Sequence, residues 1–254
     1  MKVKFFLMCF IASNFFSLAL KAQAIVNIEE MRRDGEVGFF SSAALNIDGA
    51  RGNRDRDFYS VQLRLDLNSE QNESFIIFQD SKRQSNNKII DKSRFLHARY
   101  IWLGGDKVSW EFFTQFSENP FRNYKERAIL GGGLRLKLSD NGRLGLGVIH
   151  EKEEDIVGNK SSTERLSSYF HNRINVAENV DFNTTIYFQP NIDSFENDYK
   201  ASMILGLNFN VNTNLIITMQ YSIFHDSSPL VSAEKSDEGL STKFSYDLSN
   251  LWKG

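Results

Sequence analysis

Cysteine is almost absent from this 254-residue chain, the one copy being Cys9. That excludes a disulfide framework, and with it the stapled small secreted domains that lack a sufficient core of their own. Proline is nearly as scarce. Pro120, Pro190 and Pro229 are the three, and each falls in a stretch read below as a connection, where a missing N–H costs no ladder bond. Positive charge is not in excess either, with 30 Lys and Arg against 32 Asp and Glu. Three of the lysines lie in residues 1–24, which hold no acid, so the remainder carries 27 basic residues and a net charge near −5. This excludes a nucleic-acid partner, which would need a basic stripe. Beyond residue 24 no run is long and apolar enough for a transmembrane helix, so any membrane crossing must be made by strands.

Residues 1–24 read as a secretory signal peptide. Lys2 and Lys4 form the basic start, Phe5 to Leu20 is largely apolar, and Ala22-Gln23-Ala24 supplies the small-x-small cleavage pattern. The mature chain is expected to begin at Ile25 and to form one domain over residues 25–254. Cys9 lies inside the removed segment, preceded by Phe6-Leu7-Met8 rather than the small residues a lipid-modified cysteine needs.

What the rest of the chain has in abundance is a period of two, the mark of strands with two unlike faces. Tyr59, Val61, Leu63, Leu65 and Leu67 alternate with Ser60, Gln62, Arg64 and Asp66. Leu240, Thr242, Phe244, Tyr246 and Leu248 alternate with Ser241, Lys243, Ser245 and Asp247. Twelve such segments are expected, near 36–47, 57–67, 73–80, 93–102, 107–116, 126–138, 142–151, 164–176, 180–190, 198–212, 214–225 and 239–249. Most are longer than the five or six residues usual in soluble sheets and suit a tilted membrane strand.

The connections between them alternate in kind. Asp48–Arg56, Ser81–Lys92, Ser117–Lys125, Lys152–Thr163, Asn191–Asn197 and Asp226–Glu238 read as long charged loops. Those between them read as short turns, with Ser139-Asp140-Asn141-Gly142 and Asn212-Thr213-Asn214 carrying hairpin chemistry. A soluble β-sandwich also alternates along its strands, but regular short and long connections over six repeats favour a membrane barrel. The fold class predicted is all-β: a transmembrane, antiparallel, up-and-down β-barrel of about twelve strands in the outer membrane. Phe39, Tyr59, Tyr100, Trp102, Trp110, Phe112, Phe116 and Tyr221 sit on the apolar faces, several near strand ends where interfacial girdles lie.

Several stretches also resemble a known family. They are Gly52-Asn53-Arg54-Asp55, Arg99-Tyr100, Gly131-Gly132-Gly133-Leu134, Arg143-Leu144-Gly145-Leu146-Gly147-Val148, and Ser228-Pro229 through Glu234-Lys235-Ser236-Asp237 before the closing strand. Together they make the chain similar to the salt-induced outer-membrane proteins, a bacterial barrel family grouped as domain of unknown function 481. The resemblance runs from Gly35 to Leu248. It implies an outer-membrane location, with membrane lipid, lipopolysaccharide and the barrel-assembly machinery as partners, and no settled activity. Such barrels end on an aromatic residue that the assembly machinery reads. Here Tyr246, Leu248 and Trp252 keep one phase, but Lys253 and Gly254 follow.

If the apolar faces meet lipid, the opposite faces line the lumen. The lumen-lining candidates are Arg64, Asp66, His97, Arg99, Glu111, Arg135, Lys137, His171, Arg173, Asp181, Lys243 and Asp247. Charges there can pair and hold water, whereas on a lipid face they are costly. The lumen reads either as a narrow polar pore or as a salt-bridge network filling a small barrel. The functions left open are therefore a pore or envelope-maintenance protein for small polar solutes or ions, an outer-membrane lipid hydrolase, and a structural or adhesive barrel with a plugged lumen. No catalytic, cofactor or metal residues are assigned. His150 and Ser168 fall on the lipid-facing side, where a lipid hydrolase would place them, but serine is abundant and such chance pairings are plentiful. Glu151-Lys152-Glu153-Glu154-Asp155 matches no cation-loop spacing and reads as a solvated loop. Gly131-Gly132-Gly133 stands mid-strand with no helix after it, which points to close strand packing rather than a phosphate cradle. Arg51, Arg54 and Arg56 could meet lipopolysaccharide phosphates, or simply solvent.

Overall fold

The computed structural model describes residues 36–50, 55–122, 124–229 and 234–249. The expected signal peptide, Arg51, Arg54 and the Trp252-Lys253-Gly254 end lie outside these residues. Twelve strands run in chain order: β1 Gly38–Ala50, β2 Arg56–Asn68, β3 Asn72–Ser85, β4 Lys88–Trp102, β5 Val108–Asn119, β6 Tyr124–Lys137, β7 Gly142–Asp155, β8 Lys160–Ala177, β9 Val180–Pro190, β10 Tyr199–Asn210, β11 Leu215–Asp226 and β12 Ser236–Asp247. Each pairs antiparallel with its sequence neighbours, and β12 returns to β1 to close the barrel. Every segment anticipated from the period of two is a strand.

Burial is inverted relative to a water-soluble domain. Along β2, Leu63, Leu65 and Leu67 are 45%, 47% and 63% exposed, whereas the intervening Arg64 and Asp66 are 0% and 4% exposed. The same holds around the wall: Phe78, Leu96, Trp110, Leu130, Val148 and Phe244 face out. Gln62, His97, Arg135, Thr218 and Lys243 are buried inside. A contiguous apolar belt of this extent is foreign to a monomer in water. Among the described residues Phe75, Ile77 and Ile101 form a contacting apolar cluster near the β3–β4 wall, while Phe40, Ile129, Ile149 and Ile204 are buried elsewhere in the interior.

The connections depart from expectation at the end where long loops were read. The stretches 81–92 and 152–163 are mostly strand. β3 runs to Ser85 and β4 starts at Lys88, leaving a two-residue turn whose residues Asn86 and Asn87 both have positive φ, 48° and 62°. That is the backbone of a primed hairpin turn, whose twist matches that of the flanking strands. β7 likewise runs to Asp155, whose carboxylate accepts from the backbone N–H of Val157 and Asn159 at 2.9 and 2.8 Å. A ladder does not require an apolar outer face to continue. Charged cross-strand partners carry it past the belt, as Arg94 with Asp80 (3.3 Å) and Lys125 with Glu154 (2.8 Å) show. Long connections remain at 191–198 and 227–235. This end is called the loop end below, and the opposite one the turn end.

Asn87 stands in the left-handed region, where a β-branched side chain is strained. Asn87→Val is expected to destabilise the barrel by about 1–2 kcal/mol, read as a lower urea midpoint of the refolded protein. Asn87→Gly should leave that midpoint unchanged or raise it.

Candidate functional site

The side chains that the pattern of two sends inward meet across the lumen. On β2, Arg64 and Asp66 form a pair two residues apart, with Nη2 to Oδ1 at 2.7 Å and Nε to Oδ2 at 2.9 Å. The Arg64 guanidinium lies 4.0 Å from the centre of the Phe75 ring. Arg99 on β4 donates to Glu111 on β5 at 3.1 Å. The same Glu111 oxygen accepts from the Tyr169 hydroxyl at 3.0 Å, a bond that leaps from β5 to β8 over two intervening strands. His97 is stacked among Phe75, Phe95 and Phe113, with ring centres 5.7–6.0 Å apart.

The glycine-rich stretches explain how that leap fits. Gly131 and Gly133 on β6 and Gly145 and Gly147 on β7 occupy inward positions opposite these rings. A Cβ on Gly131 would lie 2.5 Å from Phe113 Cζ, and one on Gly145 would lie 1.9 Å from Tyr169 Cε1. At Gly133 and Gly147 a Cβ would lie 2.3 Å from a backbone carbonyl oxygen of the facing strand. The glycine wall therefore makes the space through which Tyr169 and Phe113 reach the lumen centre, as well as close strand packing. Gly145→Ala is expected to push Tyr169 off Glu111 and to cost about 1–3 kcal/mol by overpacking. A lowered urea midpoint and a shifted tyrosine fluorescence would register it.

The remaining lumen candidates are placed as follows. Arg135, His171 and Lys243 are buried, and His171 Nδ1 lies 2.9 Å from Thr185 Oγ1. Arg173, Asp181 and Asp247 are half-buried, nearer the turn end, with Asp181 accepting from Asn210 at 3.0 Å. Lys137 is different. It closes β6, is exposed, and reaches Asp140 in the following turn at 2.8 Å. Its ammonium holds the exposed Asp140 carboxyl below the usual carboxylate range. The strand's last residue has escaped the interior because the barrel wall ends there.

A second charged cluster was not anticipated. Glu151, read from sequence as part of a solvated loop, is 3% exposed. It accepts from Arg127 on β6 and from Lys200 on β10 at 2.7 Å, with Arg165 on β8 at 3.5 Å. Arg165 continues to Asp198 at 2.9 Å, and Lys200 lies 3.6 Å from Glu153 and 3.8 Å from Asp226. The cluster ties β6, β7, β8, β10 and β11 together at the loop end. The signal for it was present: the odd phase Gly145, Gly147, Ile149 continues through Glu151 and Glu153 without a break.

Between the two charged layers lies a cavity of about 160 Å³, bounded by Phe95, His97, Phe113, Tyr169 and Tyr187 with Gln115 and Arg127. Around it Arg64, Thr185 and Ile204 are 0% exposed and His97 is 1% exposed. On the outer wall His150 and Ser168 are not brought together. His150 pairs with Glu164 and Ser168 with Leu146 across the same ladder. Four rungs separate the two, about 13 Å, and the Ser168 hydroxyl donates to the Phe188 carbonyl at 3.1 Å. Among the described residues no group of three or more His, Cys, Asp or Glu is disposed to hold a metal ion. The acids of the loop end are instead matched by arginine and lysine.

Residues 43–248 match a family described as a protein of unknown function, DUF481. The chain belongs to that family. No curated protein matches the sequence. Among solved structures, the barrel is similar to the NanC porin, at 9% identity and a TM-score of 0.49, covering 81% of this chain and 97% of that one. It is similar to the translocator domain of the autotransporter NalP from Neisseria meningitidis, at 10% identity and a TM-score of 0.45, covering 84% and 89%. It is also similar to the KdgM porin in complex with disordered oligogalacturonate, at 8% identity and a TM-score of 0.45, covering 82% and 98%. These are likenesses of outline and carry nothing about solute or activity.

Proposed function

We propose that this DUF481 protein is an outer-membrane barrel that admits small polar solutes through a lumen held shut at rest by ion-paired side chains. The exposed apolar belt supports a lipid-immersed wall, and closure of the barrel gives every strand a neighbour on both sides. The basic-then-apolar start of the chain, ending in Ala22-Gln23-Ala24, supports export by a signal peptide and delivery to the barrel-assembly machinery. Membrane lipid and lipopolysaccharide would then be its surroundings.

The observation that carries the reading is how the lumen is filled. Apolar packing of similar volume would close a barrel at least as stably as buried ion pairs do. Here the closing layer is Arg64–Asp66 and Arg99–Glu111–Tyr169, charged groups that can exchange partners, adjoining an aqueous-sized cavity. The reading assigns Arg64, Asp66, Arg99 and Glu111 to the constriction, and His97, with Tyr169 and Tyr187, to the solute-contacting wall. Arg135, His171, Arg173, Asp181, Lys243 and Asp247 line the remaining lumen. No catalytic role is assigned.

Liposome swelling with the refolded mature protein tests this. Uptake of small neutral sugars and amino acids above that of empty vesicles, increasing when Arg99→Ala loosens the layer, is the expected result. Vesicles impermeable with both proteins would leave a barrel whose filled interior is purely structural.

A further inference from the structure

The barrel wall is not closed to the same height all round. Among the described residues the ladder between β1 and β12 spans five residue pairs, from Ser42–Asp247 to Asn46–Lys243, with the Leu248 N–H donating to the Ser41 carbonyl beyond it at the turn end. The other eleven interfaces hold nine to fourteen. Beyond Asn46 and Lys243 both strands run on toward the loop end, β1 through Ala50 and β12 back to Ser236, without pairing with each other. Were the register to continue, Ile47 would face Thr242 and Asp48 would face Ser241.

The height of this gap gives it meaning. Ile47 pairs on its other side with Tyr59, and Leu240 with Tyr221. Ile47, Tyr59 and Leu240 are exposed apolar or aromatic residues of the outer belt. The Tyr221 hydroxyl turns to Glu238 at 2.8 Å, where the belt gives way to charge. The gap thus opens at the aromatic rim, the level at which lipid headgroups meet a barrel. Unpaired strand edges are not tolerated in hydrocarbon, but they are where a polar group can reach them.

The interior beside the gap is prepared for such a group. Gln62 Nε2, Gln220 Oε1 and Ser245 Oγ are buried and have no hydrogen-bond partner. Gln220 faces Ser241 at the level of the gap, while Gln62 faces Ala44 and Ala44 faces Ser245 two rungs inside the last paired rung, so the three stand on β11, β2 and β12 around and just below the opening. A buried donor and acceptors left unmatched are costly unless a ligand or solvent meets them.

We propose that the β1–β12 seam is a lateral opening at headgroup height, through which the polar head of a membrane lipid reaches these groups inside the barrel. It is a second route into the lumen, distinct from the loop-end mouth, and it does not depend on conduction.

Two measurements on the refolded protein in phosphatidylethanolamine and phosphatidylglycerol vesicles test it. The first compares cysteine pairs at matched ladder positions in the mature chain. Ala44→Cys with Ser245→Cys, inside the paired stretch, should oxidise to a disulfide, whereas Asp48→Cys with Ser241→Cys should stay reduced because their Cα atoms are too far apart. Equal oxidation of both pairs would mean a zipped seam and overturn the proposal. The second places a photo-crosslinking side chain at Ser241, at Gln115 on the far inner wall, and at lipid-facing Leu63. Lipid adducts at Ser241 and Leu63, with loss of the adduct at Gln115, are expected. Absence of lipid at Ser241, or equal labelling at both inward positions, would overturn it.

Discussion

Replacing Glu151 by alanine will destabilise the barrel by about 3–5 kcal/mol, the cost of leaving buried charge without its partner. Three cations converge on this one carboxylate: Arg127, Lys200 and Arg165. Its side chain is 4% exposed, and those of Arg165 and Lys200 are 5% and 6% exposed. Glu153 cannot take over, because it stands two residues on and reaches Lys200 and Arg127 only at 3.6 Å. The loop-end halves of β6, β7, β8 and β10 should therefore lose their common anchor. Urea unfolding of the refolded protein measures the loss. Glu151→Gln, which keeps the shape and one acceptor but removes the charge, should fall between wild type and alanine. A Glu151→Ala barrel as stable as wild type would show that the cluster is solvated rather than buried.

Glu111→Ala has the second large effect, and it falls on the lumen. Glu111 is the junction of the turn-end layer, since Arg99 and Tyr169 both donate to its Oε2. Without it, Arg99 keeps its place over the Phe113 ring, 4.9 Å from the centre, but lacks that carboxylate. A destabilisation of about 3 kcal/mol follows, at the low end for a broken buried pair because water from the adjoining cavity can reach the guanidinium. The same water links the cavity to the turn end. Stability and permeability should move in opposite directions in this variant, which a merely structural ion pair would not produce.

The fold was legible because a strand's period is insensitive to context: once apolar and polar residues alternate over ten positions, only a two-faced sheet satisfies them. All twelve strands followed from that rule. Two features escaped. The stretch around Glu151 reads as a charged loop because nothing apolar marks its outer face, yet the phase set by Gly145, Gly147 and Ile149 holds through it and turns its acids inward. Which inward residues would meet was not legible at all. The contact between Glu111 and Tyr169 spans 58 residues, and it depends on barrel curvature and on the room left by Gly131 and Gly145. The glycines were visible in the sequence as a reason for close packing; what they make room for was not. Lys137 failed for the opposite reason, being in phase but at the last rung, where the wall ends and the turn carboxylate of Asp140 is nearer than the lumen.

The most direct test of a lumen shut by exchangeable ion pairs is single-channel recording of the refolded mature protein in a planar bilayer, wild type beside Glu111→Ala. The wild type should be silent for long periods and show brief, salt-dependent steps, while Glu111→Ala should give larger and longer-lived openings. A wild type that conducts steadily would contradict the closed lumen, and a folded Glu111→Ala barrel that never conducts would contradict the role of the ion pairs in closing it.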